Sequence, residues 1–199
     1  MGDENLHAIL EMLAAPIPSP AAASGAAVAA SVGASLLIMA AATISHRLPE
    51  GAEKSVVEGL GDKAHRMRNM LEDVFDQDAK AYGRVVRLRA QQKGAERDEQ
   101  LERAWKTATI IPGVLGRSAM ICLKVAADLA PKAPLAARPD IVTAALLLHA
   151  AVQASLVIVQ RNLTHVADQA FCQKIRRNQS FLDDRDALLV LVVQSAGSP

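Results

Sequence analysis

A long run of small and aliphatic residues without a single charge constrains this chain more than anything else in it. From Ala14 to Ile44 the sequence reads AAPIPSPAAASGAAVAASVGASLLIMAAATI. Pro18 and Pro20 set a stiff, extended entry, and the remainder of the run is almost all Ala, Gly, Ser, Val, Leu, Ile or Met. A helix that is apolar on every face belongs either in the centre of a core or inside a membrane. The run is long enough for a bilayer, which needs about 20 residues. Its make-up favours a core, because Ala, Ser and Gly dominate and the larger residues form one short cluster, Leu36 to Met39. The flanks lack an aromatic belt, and no basic segment of the signal-peptide kind precedes the run. The expectation is a core helix in a cytoplasmic protein, with no membrane partner.

The remaining composition points the same way. The 199 residues suggest one helical domain over residues 1–199 with a sizeable core. Hydrophobic residues make up 51% but aromatic ones only 3%, so alanine and the aliphatics must carry the burial. Alanine favours helix, whereas strands favour β-branched and aromatic residues; the expected class is all-α. A formal charge of +1 offers no broad field for nucleic acid. Cys122 and Cys172 lack metal-type spacing and read as buried thiols in a reducing compartment.

Taken in order, a short amphipathic helix is expected over Asp3–Leu13, ended by Pro16, Pro18 and Pro20. The apolar helix starts near Ala21 or Ala22 and runs to Ser45, with Gly25 and Gly33 inside it marking close approach of a backbone or ligand. After the break at Leu48-Pro49-Glu50-Gly51, a long helix runs from Ala52 to Gln92. Its seam is Val57, Leu60, Ala64, Met67, Leu71, Val74, Asp78, Ala81, Val85 and Leu88, with steps alternating three and four. A fourth helix, about Asp98–Ala130, holds Pro112 and Gly113 and should kink or split there. A fifth starts at Arg138-Pro139-Asp140 and reaches about Val166; Asp168 is placed to cap a sixth, to Phe181; a last covers Asp184–Val193. The architecture expected is an antiparallel bundle of six or seven helices with long central ones. Two helices apolar nearly all round exceed what one small core can bury, so dimerisation through apolar faces is expected.

Asp78 is the single polar residue on the seam of the long helix. A carboxylate there is costly unless it is paired or protonated, and desolvation raises its pKa toward the range useful for acid–base work. An ion pair with an arginine across an interface is the structural alternative. Tyr82, one turn on, either orients Asp78 or simply packs. Asp140 sits in the first turn of its helix, where it favours the helix dipole. Asn162 lies 22 residues later on the same face, near Arg161 and His165. His149 interrupts an apolar run and reads as a core histidine. His46 and Arg47 come after the apolar helix, either to hold an anionic tail or as a solvated end. Phosphate loop, dinucleotide fingerprint, nucleophile elbow and metal-spaced ligand cluster are all absent from the sequence.

The order of these segments resembles the cyclodeaminase/cyclohydrolase family. Members carry a PxPGGGS-like turn before a small-residue helix, matched here by Pro18-Ser19-Pro20-Ala21-Ala22-Ala23-Ser24 and GAAVAASVGASLL. Their acid–Asp–x–x–Ala–aromatic element is matched by Gln77-Asp78-Ala79-Lys80-Ala81-Tyr82, their mid-helix proline by Pro112, and their late helix by Pro139-Asp140-Ile141-Val142 through Asn162. The resemblance covers about Leu6 to Phe181. It implies an all-α dimer acting on a C–N bond at the one-carbon bridge of a tetrahydrofolate, which binds as substrate, with no tightly bound cofactor and no metal. It implies that Asp78, with Tyr82, is catalytic. It also implies that Pro20, Ala21, Ala22, Ala23, Ser24, Asp140, Asn162, His46 and Arg47 contact the substrate. Three alanines replace the glycines of the turn, His46-Arg47-Leu48-Pro49 replaces a more basic segment, and Val142 replaces a glycine. Two other functions stay open: the same fold repurposed for a cyclisation or C–N step in a specialised biosynthetic pathway, and a non-catalytic helical oligomer that binds a ligand or partner.

Overall fold

The computed structural model of the protein describes residues 6–16 and 22–197. Among these, seven α-helices and three short 3-10 turns are present and there is no strand. Helices α1 (Leu6–Ala14), α2 (Ala22–Ser45), α3 (Ala52–Arg89), α4 (Ala95–Leu129) and α5 (Arg138–Leu163) succeed one another, then α6 (Gln169–Gln179) and α7 (Arg185–Gly197). Helices α2 to α5 form an up-and-down four-helix arrangement in which each packs on the next and α5 closes back onto α2. Helix α7 lies along α5 and α4, and α6 lies against α4.

The alanine-rich run becomes α2, as its propensity dictates, and half of its residues are buried. Small side chains let it sit close to its neighbours. A Cβ on Gly33 would stand 3.0 Å from the Ala144 carbonyl oxygen of α5, and one on Gly61 of α3 would stand 3.1 Å from Ala41 Cβ. Those distances are tighter than nearly all real Cβ contacts, so these two glycines set the separations of α2 from α5 and of α3 from α2. Leu37, Leu71, Leu115 and Leu148, one from each central helix, are fully buried; each contributes roughly 1.5–3 kcal/mol of transfer free energy. By length and hydropathy alone, Ala22–Ser45, Ala95–Lys132 and Leu135–Leu163 could each cross a membrane. The exposed side of α2 is uncharged, with Val32 and Met39 on it, and α5 exposes Leu146 and Val157.

The long helix needs a stop before it and finds one at Gly51, whose φ of +156° is one that side chains rarely adopt. Gly59 and Gly61 do not interrupt α3, and α4 begins at Ala95, earlier than its acidic first turn suggests. Asp168 caps α6 as its position predicts: Oδ1 accepts from the Phe171 N–H at 3.0 Å. Lys106 holds the other oxygen at 2.8 Å.

Pro112 neither splits nor ends α4, and the reason is visible in α5. Proline has no N–H, so the carbonyl four residues earlier, Ala108, loses its helical donor. Asn162 Nδ2 donates to that carbonyl at 2.7 Å instead. One turn further along α4, Ser155 Oγ donates to the Pro112 carbonyl at 2.6 Å, and Gly116 makes room for the serine, since a Cβ at 116 would fall 2.3 Å from its oxygen. Two polar side chains of α5 therefore splint the proline turn of α4, both buried. Asn162→Ala should cost about 1–3 kcal/mol, the penalty for an orphaned buried carbonyl. In a Pro112→Ala background the backbone N–H restored at position 112 takes over, and the same substitution should cost much less. Equal losses in the two backgrounds, read by denaturant unfolding, would break the link.

Candidate active site

Alternating helix directions gather the start of α2, the last third of α3, the first third of α4 and the end of α5 at one end of the bundle. Asp78 is the buried acid there, 6% exposed. It comes from the α3 seam, where a carboxyl can point only inward. Its partner is not an arginine. Ser24 Oγ lies 3.2 Å from Asp78 Oδ2, and the Ser24 backbone N–H also serves the carboxylate. Ser24 lies in the first turn of α2, whose N–H groups have no carbonyl within their own helix. Asp78 thus accepts from a leading N–H group of α2, at the end of the helix dipole that favours negative charge.

Burial dominates the electrostatics. It pushes the Asp78 carboxyl above its ordinary range, and the two Ser24 hydrogen bonds pull back only part of the way. Among the described residues no cation pairs with it, so the carboxyl holds its proton to a higher pH than a surface aspartate does.

Ala22, Ala23 and Ser24 are helical, and no described residue other than glycine has a positive φ. Alanine is therefore unstrained at 22 and 23. Ala23 and Ser24 are buried beneath this corner, and Ala22 is exposed. Pro20 and Ala21 lie outside the described residues.

Beyond Asp78 an aromatic and cationic cluster continues at the same end. Tyr82 is half-buried and meets Trp105 edge-on, with ring centroids 6.3 Å apart. Trp105 stacks on His165 at 4.3 Å, and the Arg89 guanidinium lies 5.0 Å from the Trp105 ring. Burial, then the charges of Arg89 and Arg161, holds the His165 imidazole below its usual pKa. Tyr82 is thus a packed aromatic one turn from Asp78. The sequence does not single out Trp105 or Arg89 for this corner, because nothing local pairs residues from α3, α4 and the turn after α5.

Of the other expected site residues, Asn162 is at the Asp78 end of the bundle, whereas Asp140, His46 and Arg47 are at the far end. Asp140 is half-buried in the first turn of α5, while Asn162 is near its last, about 33 Å away at 1.5 Å per residue. Within one chain they do not line one site, and the Asn162 amide donor is committed to the Ala108 carbonyl. His46 and Arg47 are exposed just past the C-terminus of α2, again about 33 Å from Ser24. A cavity of about 430 Å³ lies at that far end, lined in part by Ser45, His46, Lys54, Glu58, Asp62 and His65. The described residues include no group of three or more His, Cys, Asp or Glu placed to hold a metal ion.

Residues 5–180 match the family described as formiminotransferase-cyclodeaminase. The chain belongs to this family. A crystal structure of formiminotetrahydrofolate cyclodeaminase from Thermotoga maritima aligns with it at a TM-score of 0.87 and 21% sequence identity, over 98% of this chain and 96% of that one. The all-α cyclodeaminase fold is therefore shared along nearly the whole length. No curated protein sequence matches the chain significantly. Within the formiminotransferase-cyclodeaminase family fold, the buried acid of α3 and the uncharged start of α2 form the corner with chemistry to offer.

Proposed function

We propose that the protein is an enzyme of cyclodeaminase type acting on a C–N bond of a one-carbon-substituted tetrahydrofolate, with Asp78 as the group that carries the proton. The carrying observation is the placement of Asp78: a buried carboxyl with no cation beside it, held by Ser24 at a helix start. In the reaction the second folate nitrogen attacks the carbon of the protonated, cationic formimino group (–CH=NH2+) and the ring closes. The bond from that carbon to its terminal nitrogen breaks, and protonated Asp78 delivers a proton to the departing nitrogen, which leaves as ammonia. The ionised carboxylate is then reset by the proton released from the attacking nitrogen. A methenyl bridge opened by water would use the same group as base. Tyr82 borders the corner, and Ala22 and Ala23 open α2 beside it.

The uncharged face of α2, with Val32 and Met39 exposed, supports a second copy as its cover. Packed antiparallel, that copy would bring its His46, Arg47 and Asp140 end beside the Asp78 corner of the first. This reunites residues that one chain keeps apart and leaves Asn162 to its backbone task. Light scattering should then read a dimer at micromolar concentration, and Met39→Glu should shift it to monomer; a wild-type monomer would remove this part of the reading.

Absorbance of the methenyl chromophore should report turnover, appearing from 5-formiminotetrahydrofolate or disappearing as the methenyl form is opened by water. Asp78→Asn should lower kcat by about 10²-fold or more, the usual worth of a positioned acid or base, while circular dichroism stays unchanged. Wild-type protein that neither turns over nor binds either compound would sink the folate assignment. An activity that survives Asp78→Asn undiminished would remove Asp78 from it.

A further inference from the structure

Ser24 has two acceptors for one proton. Its Oγ lies 3.2 Å from Asp78 Oδ2 and 3.1 Å from the Phe75 carbonyl oxygen, one turn earlier on α3, and all three groups are buried at this corner. A hydroxyl carries a single hydrogen and two lone pairs, so it cannot donate fully to both. We propose that Ser24 is a positioning residue for Asp78, a hydroxyl that swaps its hydrogen between the Asp78 carboxylate and the Phe75 carbonyl as Asp78 loses and regains its proton.

With Asp78 ionised, Ser24 donates to Oδ2. Once Asp78 is protonated, its O–H donates to Ser24 Oγ and the serine hydrogen turns to the Phe75 carbonyl. Each state is then fully hydrogen-bonded, and the change needs rotation about one C–O bond with no heavy atom moving. Most carboxyl partners favour one protonation state: an arginine fixes the charged form, and a carbonyl fixes the neutral form. A hydroxyl with a second acceptor at nearly equal distance serves both, which suits a group that must cycle. The Ser24 backbone N–H favours the ionised state and would survive any side-chain change. At this end Arg89 lies over Trp105, Glu102 accepts from the backbone at 167–168, Lys106 pairs with Asp168 and Glu102, and the charge of Arg161 acts on His165.

The acid–base role of Asp78 rests on the proposed function, but the behaviour of the Ser24–Asp78 pair does not, so the test has two independent readouts. In the first, the Asp78 side-chain carboxyl is followed by carbon-13 NMR through a pH titration of the full chain, without substrate. Ser24→Ala should move its midpoint upward, because the charge-assisted bond to the ionised form is the stronger of the two lost. Ser24→Thr, which keeps the hydroxyl, should return it toward wild type. In the second, Ser24→Ala should lower kcat on the methenyl or formimino substrate about tenfold or more with KM little changed, and displace the pH profile in the same direction as the NMR midpoint. An Asp78 titration unmoved by Ser24→Ala, or not restored by Ser24→Thr, overturns the proposal. Titration as expected from a protein that turns over neither compound would overturn the folate reading and leave the hydroxyl swap standing.

Discussion

The contact between Asp78 of α3 and the first turn of α2 joins these two helices at the end of the bundle where the candidate site lies. The leading N–H groups of a helix find no carbonyl within that helix. The long helix carries, on an otherwise apolar seam, a carboxyl that water cannot reach. Each is costly alone, and each removes part of the other's cost. Ser24 makes the join, with its backbone N–H and its hydroxyl both directed at the acid. The arrangement leaves the acid buried, hydrogen-bonded and without a cation, a combination that stabilises a fold and is also chemically usable.

The second device is the splint across α4. A proline in a helix interior removes a donor that the fold must replace. Here α5 replaces it with Asn162 and adds Ser155 beneath the next turn. The first third of α4, with Trp105 and Ala108, thereby keeps its place beside α3. Trp105 in turn receives Tyr82, His165 and Arg89. Backbone repair in α4 and the aromatic cluster next to Asp78 are therefore parts of one wall. A residue such as Asn162 can matter to a site by shaping that wall without touching a ligand.

Much of this was legible in the sequence, for physical reasons. Asp78 stood out because heptad spacing tells which positions face inward, and a carboxyl among nine apolar seam residues is a conflict that needs a resolution. The bounds of α2, the break before α3 and the cap at Asp168 came from propensity, glycine and side-chain chemistry that act over one helical turn. What the sequence did not reveal was which element answers each conflict. The partner of Asp78 is a serine 54 residues away, and the partner of the Ala108 carbonyl is an asparagine 54 residues away. Shared helical face also misled: Asp140 and Asn162 line up along α5, but a face says nothing about depth, and about six turns put them at opposite ends. Ala22 and Ala23 open α2 in helical conformation, which alanine adopts without strain.

The central claim is that the Asp78 carboxyl is buried at the start of α2 with its proton affinity raised. Its direct test is the thermal stability of wild type and Asp78→Asn compared across pH. A carboxyl whose native pKa lies above its unfolded value binds more protons in the folded state between the two, so it adds stability at low pH that is lost as pH rises through the native pKa. The wild type should therefore lose stability relative to Asp78→Asn as pH climbs from the ordinary aspartate value of 3.8 toward neutrality, and the difference should then level off. A wild type that instead gains on Asp78→Asn over that range, as a salt-bridged carboxylate would, or keeps a constant difference from it, as a solvated one would, would contradict the account.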